Sequence, residues 1–331
     1  MKPRVLFVHN HPSRFVQDDL ALLSERCEVH EWHVRSRRVN PGALARAVAG
    51  CDLVYAWFAS WHSFMPLQFA VILKRPSVLV VGGYDTANMP AIGYGSQRGG
   101  ARRWIARRGV QLAGALIANS RFARDEAIQN AGADPRRLSV LYHGFDADRF
   151  RAETAKTRMA MTAGNVERAN LQRKGLEPFV RAAAFHAQTP FVLVGGWRDG
   201  AIDDLRRIAG PNVSFTGWVE DSALQCYYAR AAVYVQASRH EGFGMAAAEA
   251  MLSECVPVVT RAGALPEVVG DNGVYLDEPE PEPLAQAITQ GLDAGREAGR
   301  KARQWIGDQF TMERRRTGLY AIIERALSHA V

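Results

Sequence analysis

The chain has 331 residues and a formal net charge of +7; 47% of its residues are hydrophobic and 23% are charged. This balance excludes a disordered chain, and the length suits two α/β domains better than one. Lys74 and Arg75 interrupt the most hydrophobic stretch, 65–81, so no apolar run reaches the roughly 20 residues of a membrane-spanning helix. The short apolar run 5–8 is typical of a first strand and not of a signal peptide, so we expect a cytoplasmic protein.

The positive charge is concentrated in the N-terminal half. Residues 1–150 contain 20 Lys and Arg against 12 Asp and Glu, whereas residues 151–331 contain 21 against 22. Such an excess either serves solubility alone or meets an anionic partner: a lipid surface, a phosphorylated acceptor or nucleic acid. The four cysteines include no C-x-x-C pair, and we interpret them as reduced thiols.

Strand and helix patterns alternate along the first half of the chain. A helical period covers 18–24, and Ser120 is a good N-cap for a helix that reaches Asn130. This alternation predicts a parallel sheet with helices on both faces. The buried-strand patterns are residues 5–8, 53–57, 78–81, 115–118 and 138–141.

The alternation restarts after a polar junction near 147–157. We therefore predict an α/β protein of two doubly wound, Rossmann-like domains, 1–150 and 151–312. A final helix, about 313–330, is able to pack back on the first domain. We expect the basic stretch 164–174 to be a loop. The other patterns are strands at 159–163, 191–194, 213–216, 233–237 and 256–260, and helices at 176–187, 244–253, 282–292 and 297–309.

The most specific stretch is residues 238–260, SRHEGFGMAAAEAMLSECVPVVT. A strand ends just before it, and a loop with Gly242 and Gly244 then opens a helix of small residues. Glycines allow a backbone to approach a ligand closely, and the free N–H groups and dipole of a helix start attract phosphate. Loops beyond the carboxyl ends of strands are where open α/β sheets bind ligands. This stretch therefore predicts an anion site.

Two carboxylates, Glu241 and Glu249, flank this anion site. Because carboxylates repel phosphate, we expect them to accept hydrogen bonds from sugar and ribose hydroxyls on either side of it. The alternative for Glu249 is a structural one, since acidic residues are favoured near helix starts in any case.

The stretch HEGFGMAAAEAM resembles the E-x7-E signature of family 4 glycosyltransferases, which are retaining enzymes with two Rossmann-like domains facing a central cleft (GT-B). Four other segments are similar to that family. They are VPVVTRAGALPEVVGDNGVYL at 256–276, FTGWV at 215–219, ANSRFARDEA at 118–127 and HGFDADRF at 143–150, where His143 replaces the usual Asn.

The resemblance implies a role for each residue of the loop. Glu241 and the adjoining backbone would hold the donor sugar. The amides of Met245 and Ala246 would meet the diphosphate, and Glu249 would accept from the ribose. Trp218 and Val219 would border the base, or would simply pack at a strand end. The implied donor residues are Glu241, Gly242, Phe243, Gly244, Met245, Ala246, Glu249, Trp218 and Val219.

The family also places an Arg and a Lys on the diphosphate, in a G-R-x-x-x-x-K-G loop. Two cations suit a leaving group that gains negative charge as the glycosidic bond breaks. Here the loop is GNVERANLQRKG, in which Lys174 matches and Asn165 replaces the arginine. We choose Arg168 as the partner of Lys174, with Arg173 as the rival; a solvated loop charge is the alternative for each.

The acceptor side is defined less sharply. VVGGYD ends a strand with two glycines, so Gly83 and Asp85 are candidates for contact with an acceptor hydroxyl. The alternative for Asp85 is a turn or cap residue. His9 and His11 follow the first strand, in place of the glycine-rich loop of many relatives, and either contact the acceptor or are ordinary polar loop residues.

A basic segment with an aromatic residue follows. If it is helical, Arg103 and Arg107 share a face beside Trp104, which suits an anionic membrane; a solvated helix face is the alternative. The candidate membrane residues are Arg98, Arg102, Arg103, Arg107 and Arg108.

We expect no metal and no cofactor. The D-x-D triplet at 146–148 resembles a metal motif of another glycosyltransferase architecture but falls at the domain junction, and no histidine or cysteine cluster completes a zinc site around His9 and His11.

The predicted function is metal-independent, retaining transfer of a sugar from a UDP- or GDP-sugar to a glycan, lipid-linked or small-molecule hydroxyl. One alternative is an epimerase or phosphorylase on the same fold. Another is a non-catalytic basic protein that binds membrane or nucleic acid, although we expect no nucleic-acid partner.

Overall fold

The computed structural model describes residues 2–36, 39–153 and 155–328. They form two compact units: unit 1 contains the chain up to Gly144 and again from Met312, and unit 2 is Phe145–Thr311. The boundary lies six residues before the predicted one. Phe145 belongs to unit 2 because its amide donates to the Phe310 carbonyl (2.8 Å) and its ring lies 6.1 Å from that of Phe243.

Unit 1 is built on six parallel strands. The elements up to residue 144 are β1 (Arg4–His9), α1 (Arg14–Arg26), β2 (Glu28–His33), α2 (Pro41–Ala49), β3 (Leu53–Trp57), α3 (Trp61–Ile72), β4 (Ser77–Val81), α4 (Gly100–Leu112), β5 (Ala115–Ala118), α5 (Arg121–Gln129) and β6 (Leu138–Val140).

The strand order in unit 1 is β2-β1-β3-β4-β5-β6. β3 and β4 are buried along their whole length, as expected for strands covered on both faces. β2 was not predicted, because its sequence EVHEWH is polar and the strand occupies an edge with largely exposed side chains. The predicted cap of α5 is confirmed: the Ser120 hydroxyl oxygen accepts from the Ala123 amide at 2.9 Å.

Unit 2 repeats this architecture. Its elements are β7 (Thr157–Ala163), α6 (Arg168–Arg173), α7 (Leu176–Ala182), β8 (Phe191–Val194), α8 (Ala201–Ile208), β9 (Val213–Phe215), α9 (Asp221–Arg230), β10 (Ala231–Gln236), α10 (Met245–Leu252), β11 (Val256–Thr260), α11 (Leu265–Val269), β12 (Val274–Leu276), α12 (Pro281–Asp293) and α13 (Gly295–Gln309).

All strand pairs in unit 2 are parallel, in the order β12-β11-β10-β7-β8-β9. The chain builds outward from β7 to β9 and then returns to the other side of β7 to form β10. The order therefore reverses between β7 and β10, and in doubly wound sheets ligands bind beyond the carboxyl ends of the strands at such a switch point.

The prediction of a loop over 164–174 was wrong, since this stretch contains α6. The helix depends on partners distant in sequence: the Arg168 amide donates to the Asp199 carboxylate (3.0 Å). Inside the segment, the buried Asn170 side chain donates to the Asn165 carbonyl (2.9 Å). The predicted helix 176–187 is also shorter, ending at Ala182 before a 3₁₀ turn.

The last helix, α14 (Met312–Ser328), packs on the sheet of unit 1. Its Leu319, Ile322 and Ile323 join the core formed by β1, β3 and β4. Residues 329–330 of the predicted helix lie outside the described residues. Within the described part of the chain, no helix is both long and apolar enough to cross a membrane.

Candidate donor site and acceptor edge

The loops after β7 and β10 meet at the switch point of unit 2. Gly164 follows β7 directly, and a Cβ atom on it would lie 2.9 Å from Cδ of Lys174, so the Lys174 side chain packs closely against this backbone. The loop after β10 carries Glu241. The Lys174 ammonium lies 3.7 Å from Oε1 of Glu241. The fold therefore brings together the two charged residues that the sequence singled out, which lie 67 residues apart.

The Glu241 carboxylate is held by one of its two oxygens. Oε1 accepts from the Gln236 amide (2.7 Å) and from the Ser238 hydroxyl (2.9 Å), and it is also the oxygen nearest Lys174. Oε2 accepts no hydrogen bond from any described residue. The side chain is thus oriented by the protein while one oxygen is left to accept from a ligand.

Glu241 stays ionised in this environment. Burial would raise the pKa of its carboxyl, but the positive charges of Lys174 and Arg173 and the two hydrogen bonds outweigh burial, and the pKa is lowered. An ionised carboxylate only accepts hydrogen bonds, as recognition of hydroxyl groups requires.

Glycines shape the backbone around Glu241. Gly244 has φ +105° and ends the loop at the first turn of α10; a Cβ atom there would lie 2.8 Å from Leu265. Gly263 has φ +62°, and a Cβ atom on it would lie 2.2 Å from the Glu241 carbonyl oxygen. The Ala264 amide donates to the same carbonyl (2.9 Å). Gly263 leaves no space for a larger residue beside the Glu241 backbone, and Gly244 has a conformation that other residues rarely adopt, so both positions favour glycine.

The start of α10 offers an anion site. The first hydrogen bond of the helix runs from the Ala248 amide to the Gly244 carbonyl (3.1 Å). The amides of Met245 and Ala246 precede it and therefore have no partner within the helix. Both side chains are partly exposed, and α10 begins beside the switch point. Unsatisfied amides and the helix dipole favour a bound anion here.

Glu249 lies on the second turn of α10 and is partly exposed. Its Oε2 accepts a long hydrogen bond from the Tyr228 hydroxyl (3.5 Å). Burial and the Glu249 charge raise the pKa of Tyr228 well above its usual value, so the tyrosine remains a neutral donor.

Arg168 and Arg173, the two arginines proposed as partners of Lys174, have different surroundings in the structure. The Arg168 guanidinium is largely exposed and pairs with Asp204 (3.0 Å). Arg173 is partly buried, donates to the Asn170 side-chain oxygen, and contributes to the field that lowers the pKa of Glu241. The geometry favours the rival Arg173 over the chosen Arg168, because only Arg173 acts on the Glu241 carboxylate.

Two exposed tryptophans follow β8 and β9. Trp218 is 66% exposed and Trp197 is 45% exposed. A Cβ atom on Gly196 would lie 3.3 Å from Cβ of Trp218, and one on Gly217 would lie 3.8 Å from the Trp197 ring, so each tryptophan packs over the other's neighbouring glycine. The neighbouring Val219 is partly exposed. Trp218 thus packs at a strand end, which was its alternative interpretation, while most of its side chain stays exposed, and its contact with the base remains a prediction.

In unit 1, Asp85 forms a buried link between two loops. Its Oδ2 accepts from the Ala59 amide (3.0 Å) and its Oδ1 from the Gly82 amide (3.1 Å), and the residue is 3% exposed. This geometry matches the turn-residue alternative, and contact with an acceptor remains a prediction only. Gly83, with φ +124°, has open space around it.

Asp85 leads to a pH prediction. Burial raises the pKa of its carboxyl to about 6, so the native state retains a proton that the unfolded chain releases near pH 4. Stability supplied by the protonated group is therefore lost as the pH rises from about 4 to about 6. Relative to Asp85→Asn, the wild type should lose about 3 kcal/mol across this window. Urea denaturation of both proteins at several pH values measures this difference. A pH-independent difference would contradict the assignment, and unchanged turnover of the variant would argue for a purely structural role.

The structure places His9 beside two other possible metal ligands, Glu31 and His33, which the sequence did not predict. His9 is buried, its Nε2 lies 2.7 Å from Oε1 of Glu31, and its ring stacks on His33 at 4.6 Å. These three residues form a group whose ligand atoms lie within 4.8 Å of one another. The stacked rings of His9 and His33 are only 16° from parallel. One ion therefore cannot lie in the planes of both rings unless a side chain rotates. His11 is exposed and is not part of this group.

Two of the five candidate membrane arginines donate hydrogen bonds to residues of the preceding segment. Arg98 donates to the Gly95 carbonyl (3.2 Å), and Arg102 donates to the Tyr84 hydroxyl (3.1 Å). Trp104 is 58% exposed and shares the wall of a shallow cavity of about 370 Å³ with Arg103, Arg107 and Arg108.

The D-x-D triplet is a turn. Oδ1 of Asp146 accepts from the Asp148 amide (3.1 Å) and caps a 3₁₀ turn. The nearby Arg303 donates to the carbonyls of Ala147 and Phe150 and ties this turn to α13.

Some residues of the site were missed from the sequence. Gln236 and Ser238, which orient Glu241, end and follow a strongly apolar strand, and a buried polar residue there was a usable signal. Trp197 follows a strand and two glycines in VLVGGW, the same pattern as VVGGYD, and that comparison would have identified it.

Comparison with solved structures defines the class. HepE from Anabaena, solved in complex with UDP, superimposes with a TM-score of 0.77 at 20% identity over 99% of this chain and 100% of its own. Sucrose-phosphate synthase from Thermosynechococcus elongatus gives the same TM-score at 17% identity, over 99% of this chain and 100% of its own. The fold is therefore GT-B, as predicted.

The family follows from sequence profiles. Residues 4–149 match Glycosyltransferase Family 4, and residues 158–294 match Glycosyl transferases group 1. The chain belongs to this family of glycosyltransferases, which confirms the resemblance.

One curated relative is a D-inositol 3-phosphate glycosyltransferase from Nocardioides sp., 27% identical over 54% of this chain and 46% of its own length. Another is the alpha-maltose-1-phosphate synthase of Mycobacterium tuberculosis, 26% identical over 71% of this chain and 68% of its own. The chain spans less than half the length of the first curated relatives that it matches.

Proposed function

We propose that this protein transfers a sugar from a nucleoside diphosphate sugar to an acceptor hydroxyl, with retention of anomeric configuration and without a metal. The observation that carries the proposal is the pair formed by Glu241 and Lys174 at the switch point of unit 2. It combines an oriented carboxylate with an open oxygen and a cation 3.7 Å away.

Each part of the donor matches a feature of unit 2. The open oxygen of Glu241 would accept from a sugar hydroxyl. The amides of Met245 and Ala246, with Lys174 and Arg173, would bind the diphosphate and stabilise the charge that develops on it as the glycosidic bond breaks. Glu249 would accept from the ribose, and Trp218 offers an exposed ring to the base.

The proposed retention rests on the family, whose members are retaining enzymes. Glu241 is hydrogen-bonded and ionised beside Lys174, which suits binding of hydroxyls better than attack on carbon. In the proposed reaction the acceptor oxygen attacks the face that the diphosphate leaves, and a phosphate oxygen takes the acceptor proton. The cations then supply the charge stabilisation for which other glycosyltransferases use a metal ion.

The donor is proposed to be a UDP-sugar. HepE, which shares this fold, has been solved with UDP and with UDP-glucose. Relatives named D-inositol 3-phosphate glycosyltransferase, O-antigen chain mannosyltransferase B and alpha-maltose-1-phosphate synthase support a glycan or small-molecule acceptor. We also propose that unit 1 meets an anionic membrane at the inner face, since Trp104 stands exposed among Arg103, Arg107 and Arg108.

Thermal stabilisation by nucleotides tests the donor site. We expect UDP, and not NAD or CMP, to raise the melting temperature, because a ligand at 100 times its Kd stabilises the folded state by about 2.7 kcal/mol. Glu249→Ala should abolish the shift. Asp293→Ala, which removes a carboxylate paired with Arg158 at the beginning of β7, is the matched control and should keep it. A shift with NAD alone would contradict the proposal. So would the absence of a shift with every nucleotide tested.

A further inference from the structure

A second basic cavity lies in unit 1, away from the candidate acceptor residues. It has a volume of about 670 Å³ and opens where β4 and β5 begin, beside the last turns of α14. Gly83 and Asp85 follow the opposite, carboxyl-terminal end of β4, so the cavity is not part of the acceptor edge. None of its described lining residues is acidic, and five are cations: Lys74, Arg75, Arg136, Arg137 and Arg325.

Two of these guanidinium groups are held in place by backbone carbonyls. Arg75 donates through Nη2 to the Ala49 carbonyl (2.8 Å), and Arg137 donates through Nη1 to the Ala113 carbonyl (2.9 Å). The Nε atom of each is buried and has no hydrogen-bond partner among the described residues. Asp134 pairs with Arg136 at 2.9 Å and lies 3.8 Å from Arg137, so this one carboxylate faces two of the five cations. Arg75 and Arg137 are thus held in place by the fold, and each keeps an Nε donor without a partner among the described residues. The net charge of the cavity lining is positive.

Lys74 occupies a position that normally selects glycine. It follows α3 with φ +51°, and the helix end is closed by hydrogen bonds from the Lys74 amide to Val71 and from the Arg75 amide to Ala70. Helices usually place glycine at such a left-handed residue, because other side chains are strained there. The chain therefore keeps a cation in the lining of the cavity against the conformational preference of the backbone.

Three aliphatic residues stand exposed immediately before Lys74. Val71, Ile72 and Leu73 are 52%, 69% and 37% exposed. Isolated exposed aliphatic residues are ordinary, but three in succession next to a cationic cavity are typical of a segment that enters the boundary between headgroups and acyl chains.

We propose that this face of unit 1 binds the surface of an anionic phospholipid bilayer, with a headgroup phosphate in the cavity and Val71–Leu73 at the acyl boundary. Basic pockets bordered by apolar residues bind anionic lipid headgroups in this way. The shared chemistry is a phosphate group, and the exposed aliphatic residues favour a lipid over a soluble phosphate compound as its source. The surface differs from the one proposed on α4, and its existence does not depend on glycosyl transfer.

Sedimentation with vesicles tests the proposal on the full chain. The wild type should bind phosphatidylcholine vesicles only when phosphatidylglycerol is included. Lys74→Gly should bind about fivefold more weakly, since one cation near such a surface contributes about 1 kcal/mol. Its melting temperature should equal or exceed that of the wild type, because glycine relaxes the left-handed position. Ile72→Asp should reduce binding further.

Matched variants separate this surface from the others. Lys301→Gln removes an exposed charge from α13 and should bind as the wild type does. Loss of binding in Arg103→Gln with Arg107→Gln, but not in Lys74→Gly or Ile72→Asp, would overturn the proposal in favour of α4. Equal binding to neutral vesicles would also overturn it. So would absence of vesicle binding together with thermal stabilisation by pyrophosphate that Lys74→Gly abolishes, because the ligand would then be a soluble phosphate compound.

Discussion

Glu241→Gln should lower turnover by about two to three orders of magnitude while leaving the fold intact. The substitution keeps the shape of the side chain and removes its charge. It also replaces one of the two oxygens with an amide donor, so the open acceptor is lost or the contacts of Oε1 with Gln236 and Ser238 are disturbed. A hydrogen bond to a charged group contributes about 1.5–3 kcal/mol, and disturbing the contacts that orient the carboxylate adds to the loss. Steady-state kinetics with UDP-sugar donors would measure the effect.

Two controls make this result interpretable. Asp293→Asn changes a carboxylate that is also paired with a cation in unit 2, Arg158, but lies beside the beginning of β7, at the opposite end of that strand from the switch point, and it should retain full turnover. Lys174→Met should reproduce much of the loss, whereas Arg168→Met should have little effect because Arg168 pairs with Asp204. Wild-type turnover of Glu241→Gln with an unchanged melting profile would refute the assignment, and loss of turnover in Arg168→Met would restore the original choice of cation.

Arg315→Met should destabilise unit 1 by about 3–5 kcal/mol, the typical cost of removing one partner of a buried ion pair. Arg315 and Asp19 are 2% and 1% exposed, and Nη2 of Arg315 lies 2.6 Å from Oδ2 of Asp19. The same guanidinium donates to the Leu141 carbonyl (2.7 Å), and the Tyr55 hydroxyl donates to Asp19 (2.5 Å). The variant leaves a buried carboxylate with a single hydroxyl donor, far from solvent.

Chemical denaturation followed by tryptophan fluorescence would measure this loss, since the Trp57 ring centroid lies 5.9 Å from the Arg315 guanidinium. Arg316→Gln is the matched control. It removes the adjacent arginine of α14, whose partner Glu25 is exposed, and should change stability little. Combining Arg315→Met with Asp19→Leu should recover part of the loss, because no buried charge then remains. A single variant no less stable than Arg316→Gln would show that the pair contributes nothing.

Most strands were predictable from short apolar runs. β3, β5, β8 and β11 have the predicted bounds, because a strand covered on both faces requires an unbroken apolar sequence. β2 shows where this signal fails, since an edge strand with exposed side chains needs no such run. α6 shows another limit, because its amide cap, Asp199, follows a different strand.

The candidate site was likewise predictable from the sequence only in part. The spacing of Glu241 and Glu249 and the two glycines between them were visible because a loop and helix start impose a local pattern. The choice between Arg168 and Arg173 was not visible, because the two arginines are five residues apart on one short helix. Only the direction of each side chain, toward Asp204 or toward Asn170, distinguishes them.

The sequence by itself determined the family, the two-domain α/β class and the loop that carries Glu241, because each is encoded in local runs of apolar residues, glycines and a spaced pair of carboxylates. Only the tertiary structure decided that Lys174 approaches Glu241, that Asp85 is buried against two amides, and that Lys74 lines a cationic cavity. The physical reason is that electrostatic and packing roles depend on distance in space. Parallel strands joined by long crossovers place residues far apart in the chain at one edge of a sheet.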